Sequence, residues 1–231
     1  MTLPERSLRF TVSGSRGRHD LRAGVRQVVI AGWTGRDAVA VEHHIRELEA
    51  LEVARPPSIP AFYRVSTSRL TTDPVIDVSG DHSSGEVEFV LVQCDGRLYV
   101  GVGSDHTDRK VETYSVEVSK QMCDKPLAGE AWLFDDVADH WDALVLRSWA
   151  GIGPERVLYQ EGSVSAMRTP GDLIQRFAGA ATLPEGTVMF CGTLPAQGGI
   201  RPSPRFELEI EDPVLGRRIR HAYDVISLPC L

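Results

Sequence analysis

Gly85-Glu86-Val87-Glu88-Phe89-Val90-Leu91-Val92 is strongly β-prone and sets two carboxylates at positions i and i+2. Alternate residues of a strand share one face. Glu86 and Glu88 therefore project together, roughly 7 Å apart at their backbones, while Val87 and Phe89 enter the opposite face. Such a pair can converge on one cation. If that face is enclosed, two like charges are costly unless a divalent metal neutralises them or one of them takes a proton. Oxygen-only donors suit Mg²⁺, Mn²⁺ or Ca²⁺ rather than zinc. The same alternation also describes a half-exposed strand with a solvated acidic face, and the motif by itself leaves both readings open.

Moving outward from this strand, Cys94-Asp95-Gly96 reads as a hairpin turn, which makes Leu98 to Ser104 the immediate neighbour of the Glu86/Glu88 strand. The segment that follows is Gly101-Val102-Gly103-Ser104-Asp105-His106-Thr107-Asp108-Arg109-Lys110, whose glycines permit close approach of backbone. Asp105 can then supply a third oxygen to the same ion. In the alternative reading, Asp105 caps a turn and Asp108 pairs with Arg109 or Lys110.

The rest of the chain has the same texture. Its 21 glycines and 14 prolines separate short segments rich in Val, Ile, Phe and Tyr. Further strands are predicted at Ser7 to Ser13, Gln27 to Trp33, Leu144 to Ala150, Arg156 to Ser163, Val188 to Gly192, Phe206 to Glu211 and Arg218 to Ser227. Gly151-Ile152-Gly153-Pro154 closes a second hairpin. Helices are expected from about Arg36 to Glu52, where Val41, Ile45 and Leu48 recur at helical steps, and at Phe134 to Trp141 and Gly171 to Phe177. Glu130 to Trp141 reads as a helix inserted among strands. Pro56-Pro57-Ser58-Ile59-Pro60 is an extended connector. The expectation is a mainly β (α+β) fold in one domain spanning 1–231, with N-terminal strands over 1–35, a lid helix over 36–55 and a core over 59–229.

At 231 residues and 42% hydrophobic, the chain has enough apolar material for one sizeable core. Its 25 basic and 32 acidic residues give a formal charge of −7, with no Lys/Arg block, so nucleic acid is not an expected partner. No apolar run approaches the roughly 20 residues of a membrane span, and no secretory signal is read at the N-terminus, so a soluble, cytoplasmic protein is expected. Cys94, Cys123, Cys191 and Cys230 lie far apart, as expected of reduced and mostly buried thiols.

On the first helix, Glu42-His43-His44-Ile45-Arg46-Glu47 places His44 and Glu47 three residues apart and hence adjacent on the surface. A carboxylate beside imidazole raises its basicity and orients it for proton transfer. A pair of histidines on a charged helix is most often a solvated face. Lys120, at the end of the β-prone run Val118-Ser119-Lys120-Gln121-Met122, and the turn Gly192-Thr193-Leu194-Pro195 could each hold an anionic group, or could be an ordinary lysine and an ordinary turn.

Taken in order, these segments resemble the fumarylacetoacetate hydrolase (FAH) superfamily from about Gly32 almost to the end of the chain. Ile59 to Leu70 looks like the segment leading to the family's metal strand, and Gly85 to Leu91 is similar to its Glu-x-Glu strand. Ser104-Asp105 falls where the third metal carboxylate ends a Gly-containing strand, and Lys120 matches a substrate-contacting lysine before Pro126-Leu127. Tyr159 to Met167 resembles the hairpin return, and Phe190-Cys191-Gly192-Thr193 resembles the Gly-Thr active-site turn. His44-Ile45-Arg46-Glu47 occupies the place of the lid's His-x-x-Glu.

The resemblance implies an FAH-like mixed β-roll with short peripheral helices, usually a homodimer. It implies Mg²⁺ or Mn²⁺ on Glu86, Glu88 and Asp105, with His44, Glu47 and Lys120 catalytic. Substrate contacts would come from Tyr63, Arg64, Gln160, Gly192 and Thr193. The implied activity is on a small 2-oxo or 1,3-dicarbonyl acid through a metal-stabilised enolate, most often hydrolysis or lysis of a C–C bond. A dehydratase or hydratase of a sugar-derived oxo acid shares that step, and a noncatalytic β-roll binding module is the alternative outside enzymes. The sequence departs from the family in four ways: the short spacing from Glu88 to Asp105, Arg64 where lysine is common, Cys123 near a position that is commonly Asp, and extra residues before the His44 helix.

Overall fold

The computed structural model describes residues 5–14, 17–49 and 55–229, and β-structure dominates them. An eight-stranded sheet runs in the order β2 (Gly17–Val25), β1 (Arg6–Gly14), β12 (Glu130–Leu133), β9 (Arg97–Ser104), β8 (Val87–Cys94), β15 (Thr187–Thr193), β3 (Gln27–Gly32) and β4 (Ala61–Val65). It is mixed: β1 pairs with β12 and β15 with β3 in parallel, and its other neighbours are antiparallel. A second sheet has the order β14 (Val157–Ser163), β13 (Val145–Ala150), β16 (Arg205–Asp212), β17 (Arg217–Leu228) and β6 (Val75–Ser79). Two short ladders, β5 (Leu70–Thr71) with β11 (Lys125–Pro126) and β7 (Ser83–Ser84) with β10 (Thr107–Asp108), flank the end of β9.

Strand alternation divides the apolar residues between two cores. Val87, Phe89 and Leu91 of β8 pack with Leu146, Phe206, Leu208 and Tyr223 of the second sheet. Val90 and Val92 point the other way, into a cluster shared with Phe10, Leu21, Tyr63, Val65 and Phe190. Because β2 and β4, at opposite ends of the large sheet, feed that second cluster, the sheet curls back on itself. This is the mixed β-roll expected from the sequence. Every residue of β8 is buried, as a strand covered on both faces requires.

The helices are α1 (Ala38–Glu49), α2 (Arg109–Glu112), α3 (Val116–Met122) and α4 (Pro170–Ala178). α1 begins close to its predicted start and buries Ile45. The side chains of His44, Glu47 and Leu48 lie outside the described residues, as do residues 50–54. α4 follows its local signals: Thr169 accepts from the Asp172 amide, Pro170 opens the first turn, and Gly179 closes it at φ 64°.

Three expectations change. Val118–Met122 is helical, because the Ser115 hydroxyl caps the Val118 amide and the turn carries Ser119 and Lys120 inward. Glu130 to Trp141 opens as strand β12, whose Ala131 and Trp132 serve the two opposite cores, and continues as 3-10 turns over Phe134–Asp136 and Ala138–Ala143. The sequence reading also passes over β2, β4, β6 and β12, which are short or polar on one face. Cys94, Cys123 and Cys191 are buried free thiols, and Cys230 lies outside the described residues. Among the described residues, no helix is long and apolar enough to cross a membrane.

Candidate metal centre

The β8–β9 hairpin brings the first two ligands to the third. Asp95 and Gly96 take φ of 52° and 69°, as a two-residue turn of this hand requires, and Cys94 pairs with Arg97. This register sets Glu88 opposite Gly103 and Val87 opposite Ser104. The Asp105 amide then donates to Glu86 O at 3.1 Å, so Asp105 turns in beside Glu86. Ligand oxygens of Glu86, Glu88 and Asp105 all lie within 4.8 Å of one another.

The third side of the cluster is built by β15. A register irregularity between Phe190 and Thr193 aims the Gly192 amide at Glu88 Oε2, 2.7 Å away. Gly192 holds φ 99°, and a Cβ there would stand 1.7 Å from Thr34 Oγ1. The conformation and the close approach both exclude a side chain.

Glu88 and Asp105 are 2% and 1% exposed. Three carboxylates in such a place need positive charge. The protein supplies part of it: Lys120 Nζ lies 2.5 Å from Asp105 Oδ2 and 3.8 Å from Glu86 Oε2, and Arg109 Nη1 lies 3.2 Å from Glu86 Oε1. Lys125, completely buried, donates to the carbonyls of His106 and Cys123 and stands 3.4 Å from Asp105 Oδ1.

The carboxylates respond unequally. Burial, reinforced by Asp105 and Glu86, pushes Glu88 well above the usual carboxylate range, against the pull of the Gly192 amide. Burial also raises Glu86, although Arg109 and Lys120 oppose it. Burial would raise Asp105 as well, but the Lys120 and Lys125 ammoniums outweigh it and hold that carboxyl below its ordinary value. Asp105 Oδ1 is buried without a hydrogen bond. Oxygen-only donors, crowded like charges and a buried carboxylate oxygen that takes no hydrogen bond together fit a hard divalent cation.

The other residues singled out in the sequence are distributed unevenly. Lys120 reaches the cluster from α3. Tyr63 is 6% exposed, lies on the same face of the large sheet as Glu88, and accepts from Trp33 Nε1 at 3.4 Å. Arg64, next along β4, points to the opposite face and is exposed. Gln160 is buried and engaged at both ends: Oε1 accepts from the Val87 amide and the Ser148 hydroxyl, and Nε2 donates to Thr193 Oγ1 and Leu194 O. Thr193 Oγ1 donates to Val87 O at 2.8 Å. Gln160 and Thr193 thus brace the start of β8 rather than present open polar groups.

Sequence reasoning missed Arg109, Glu112 and Lys125. Asp108 caps α2 by accepting from the Val111 amide, which frees Arg109 to bridge Glu86 and Glu112 at 3.2 and 2.9 Å. The local signal was the charge of Arg109 next to Asp108, with which it does not pair.

The family described as "Protein of unknown function (DUF2848)" matches residues 31–223. No curated protein matches by sequence. Among solved structures, Cg1458 with inhibitor is similar at TM-score 0.66 and 18% identity, covering 92% of this chain and 81% of that one. A hexagonal crystal form of 2-keto-3-deoxyarabinonate dehydratase is similar at 0.61 and 16%, covering 89% and 75%. The same enzyme complexed with magnesium and 2,5-dioxopentanoate is similar at 0.60 and 15%, covering 88% and 74%. At these identities the likeness is one of fold, and it agrees with the FAH-like roll expected from the sequence.

Proposed function

This chain belongs to the DUF2848 family, and from its acidic cluster we propose that it is a divalent-metal-dependent enzyme acting on a small 2-oxo or 1,3-dicarbonyl acid. The observation that carries the reading is the convergence of Glu86, Glu88 and Asp105 within 4.8 Å in a buried site. Mg²⁺ or Mn²⁺ is the cation of this reading, supported by the all-oxygen donor set and by the magnesium bound in a dehydratase of similar fold. When bound, the ion supplies positive charge that polarises a carbonyl and stabilises negative charge developing on its oxygen.

The chain's own groups do the rest. The Gly192 amide fixes Glu88, and Gln160 and Thr193 brace the strand that carries it. Lys120 meets the charged oxygens of the substrate, and Tyr63 walls the same side of the sheet. The α1 residues His44 and Glu47 are the proton-transfer pair of this reading, drawn from the sequence resemblance. Cleavage of a C–C bond by hydrolysis or lysis is the preferred outcome. Dehydration of a sugar-derived oxo acid is the second reading, favoured by the likeness in fold to 2-keto-3-deoxyarabinonate dehydratase. A homodimer is the assembly proposed, checked by sedimentation.

The test is a screen of 2-oxo acids supplemented with Mg²⁺ or Mn²⁺, detecting carbon dioxide, pyruvate and water-loss products separately. Turnover is expected with the native chain and lost in Glu86→Ala and Asp105→Asn, together with metal binding. Undiminished metal binding in Glu86→Ala removes the centre. Tight oxo-acid binding without turnover identifies a binding module instead.

A further inference from the structure

Lys120 is 6% exposed, and its ammonium faces three carboxylates: Asp105 Oδ2 at 2.5 Å, Glu112 Oε1 at 3.7 Å and Glu86 Oε2 at 3.8 Å. Two of these acids belong to the candidate metal centre and the third does not. Glu112 is held from its other side, where Oε2 takes Arg109 Nη1 at 2.9 Å, and the same guanidinium nitrogen reaches Glu86 Oε1 at 3.2 Å. One carboxylate outside the centre is therefore braced by an arginine with its second oxygen toward Lys120.

This arrangement sets up a contest. The ammonium holds Asp105 Oδ2 and faces Glu86 Oε2, so a divalent ion entering at Asp105 Oδ1 would stand against it, and two cations crowded into a buried site repel strongly. Withdrawal of Lys120 into an apolar surrounding would leave a charge unpaired, so a displaced ammonium needs another acid within reach. Glu112 is that acid.

We propose that Lys120 is a tethered counter-ion that a divalent cation must displace from Asp105, and that Glu112 is a positioning residue that receives the displaced ammonium. The inference rests on the metal-centre reading and deepens it, because it gives Lys120 and Glu112 opposite effects on metal affinity. Released from Asp105, Lys120 stays inside the site, where it can meet a substrate carboxylate. Loading with metal and readiness for an anionic substrate then become one event. Arg109 keeps Glu112 in place by bridging it to Glu86.

The experiment is calorimetric titration of MgCl₂ and MnCl₂ into the full chain without substrate. The variants are Lys120→Met, Glu112→Gln and the two combined, with circular dichroism melts as the check on folding. Lys120→Met should bind Mg²⁺ about tenfold more tightly, and Glu112→Gln about tenfold more weakly, in the range usual for groups just outside a metal's ligands. In the Lys120→Met background, Glu112→Gln should have little further effect, since no ammonium remains to be received. Lys120→Gln is the second variant should the methionine variant fail to fold.

A folded Lys120 variant with unchanged or weaker Mg²⁺ affinity overturns the proposal, as does a Glu112→Gln penalty of equal size in both backgrounds. The metal centre itself is tested apart from this by Glu88→Gln, which should lose Mg²⁺ binding whether or not Lys120 is present. If Glu88→Gln keeps native affinity, or if neither the native chain nor Lys120→Met binds Mg²⁺, the centre falls and the contest falls with it.

Discussion

Gly192 turns its amide onto Glu88, and a Cβ there would enter space already taken by the Thr34 hydroxyl. Alanine there adds strain from φ 99° and a collision at 1.7 Å, so Gly192→Ala should destabilise the protein by about 2–3 kcal/mol in urea unfolding. The same variant should weaken Mg²⁺ binding, because Glu88 loses its fixed orientation; native affinity in the folded variant would show that the amide does not position the ligand. Glu86, Glu88 and Asp105 were legible because their relation is local: a two-residue alternation, one turn, and the residue after a strand. Arg109, Glu112 and Lys125 were not. Arg109 and Glu112 gain their direction from the pairing of β10 with β7, and Lys125 is buried where β11 pairs with β5. Both contacts join residues distant in sequence, so each charged side chain reads locally as a surface group. Gln160 was expected at the substrate, but its amide is spent on Val87, Ser148, Thr193 and Leu194.

At the scale of elements, the β8–β9 hairpin decides whether a site exists, since its register sets Glu88 against Gly103. Its turn is held by the two positive φ angles and by Glu185, which accepts from the Asp95 amide at 2.6 Å and the Gly96 amide at 3.3 Å. Gly96→Val should cost about 1–2 kcal/mol, read from the thermal or urea midpoint, because a β-branched residue resists that conformation. An unshifted midpoint would mean that the turn does not enforce the register. Both hairpins could be read from the chain, as turn chemistry depends on adjacent residues, and α4 was expected over Gly171 to Phe177, short of its Thr169 and Gly179 caps. α3 could not: its Val116 and Val118 favour a strand, and it is the Ser115 cap and the inward pull on Lys120 that make it helical. β12 was hidden for the converse reason, since four residues are too few to display an alternation and its pairing with β1 is parallel and distant.

For the molecule as a whole, acid should act partly through His221 on β17. Burial holds its imidazole below the ordinary value of 6.5. The unfolded chain therefore takes up a proton there before the folded one does, and stability present above about pH 6.5 is lost as the pH falls. Urea midpoints should decline from pH 7.5 toward 5, and His221→Gln should flatten that decline by up to about 1.4 kcal/mol per pH unit. Parallel pH curves for variant and native protein would assign the decline to other groups. The mainly β character was legible in apolar runs such as β8 and β15, while the roll itself followed from the family resemblance; its curvature depends on β2 and β4 closing over one shared core.

The double burial of β8 has a consequence for how the protein breathes. A strand enclosed on both faces belongs to the last unit to open, so backbone amides beside Glu88 should exchange with deuterium only through global unfolding. No frayed, partly open form then offers Glu88 to solvent while the rest of the chain stays folded. An ion held there must stabilise the entire roll by an amount that rises with the logarithm of its free concentration over Kd, so the shift of a melting curve reports metal binding without any substrate.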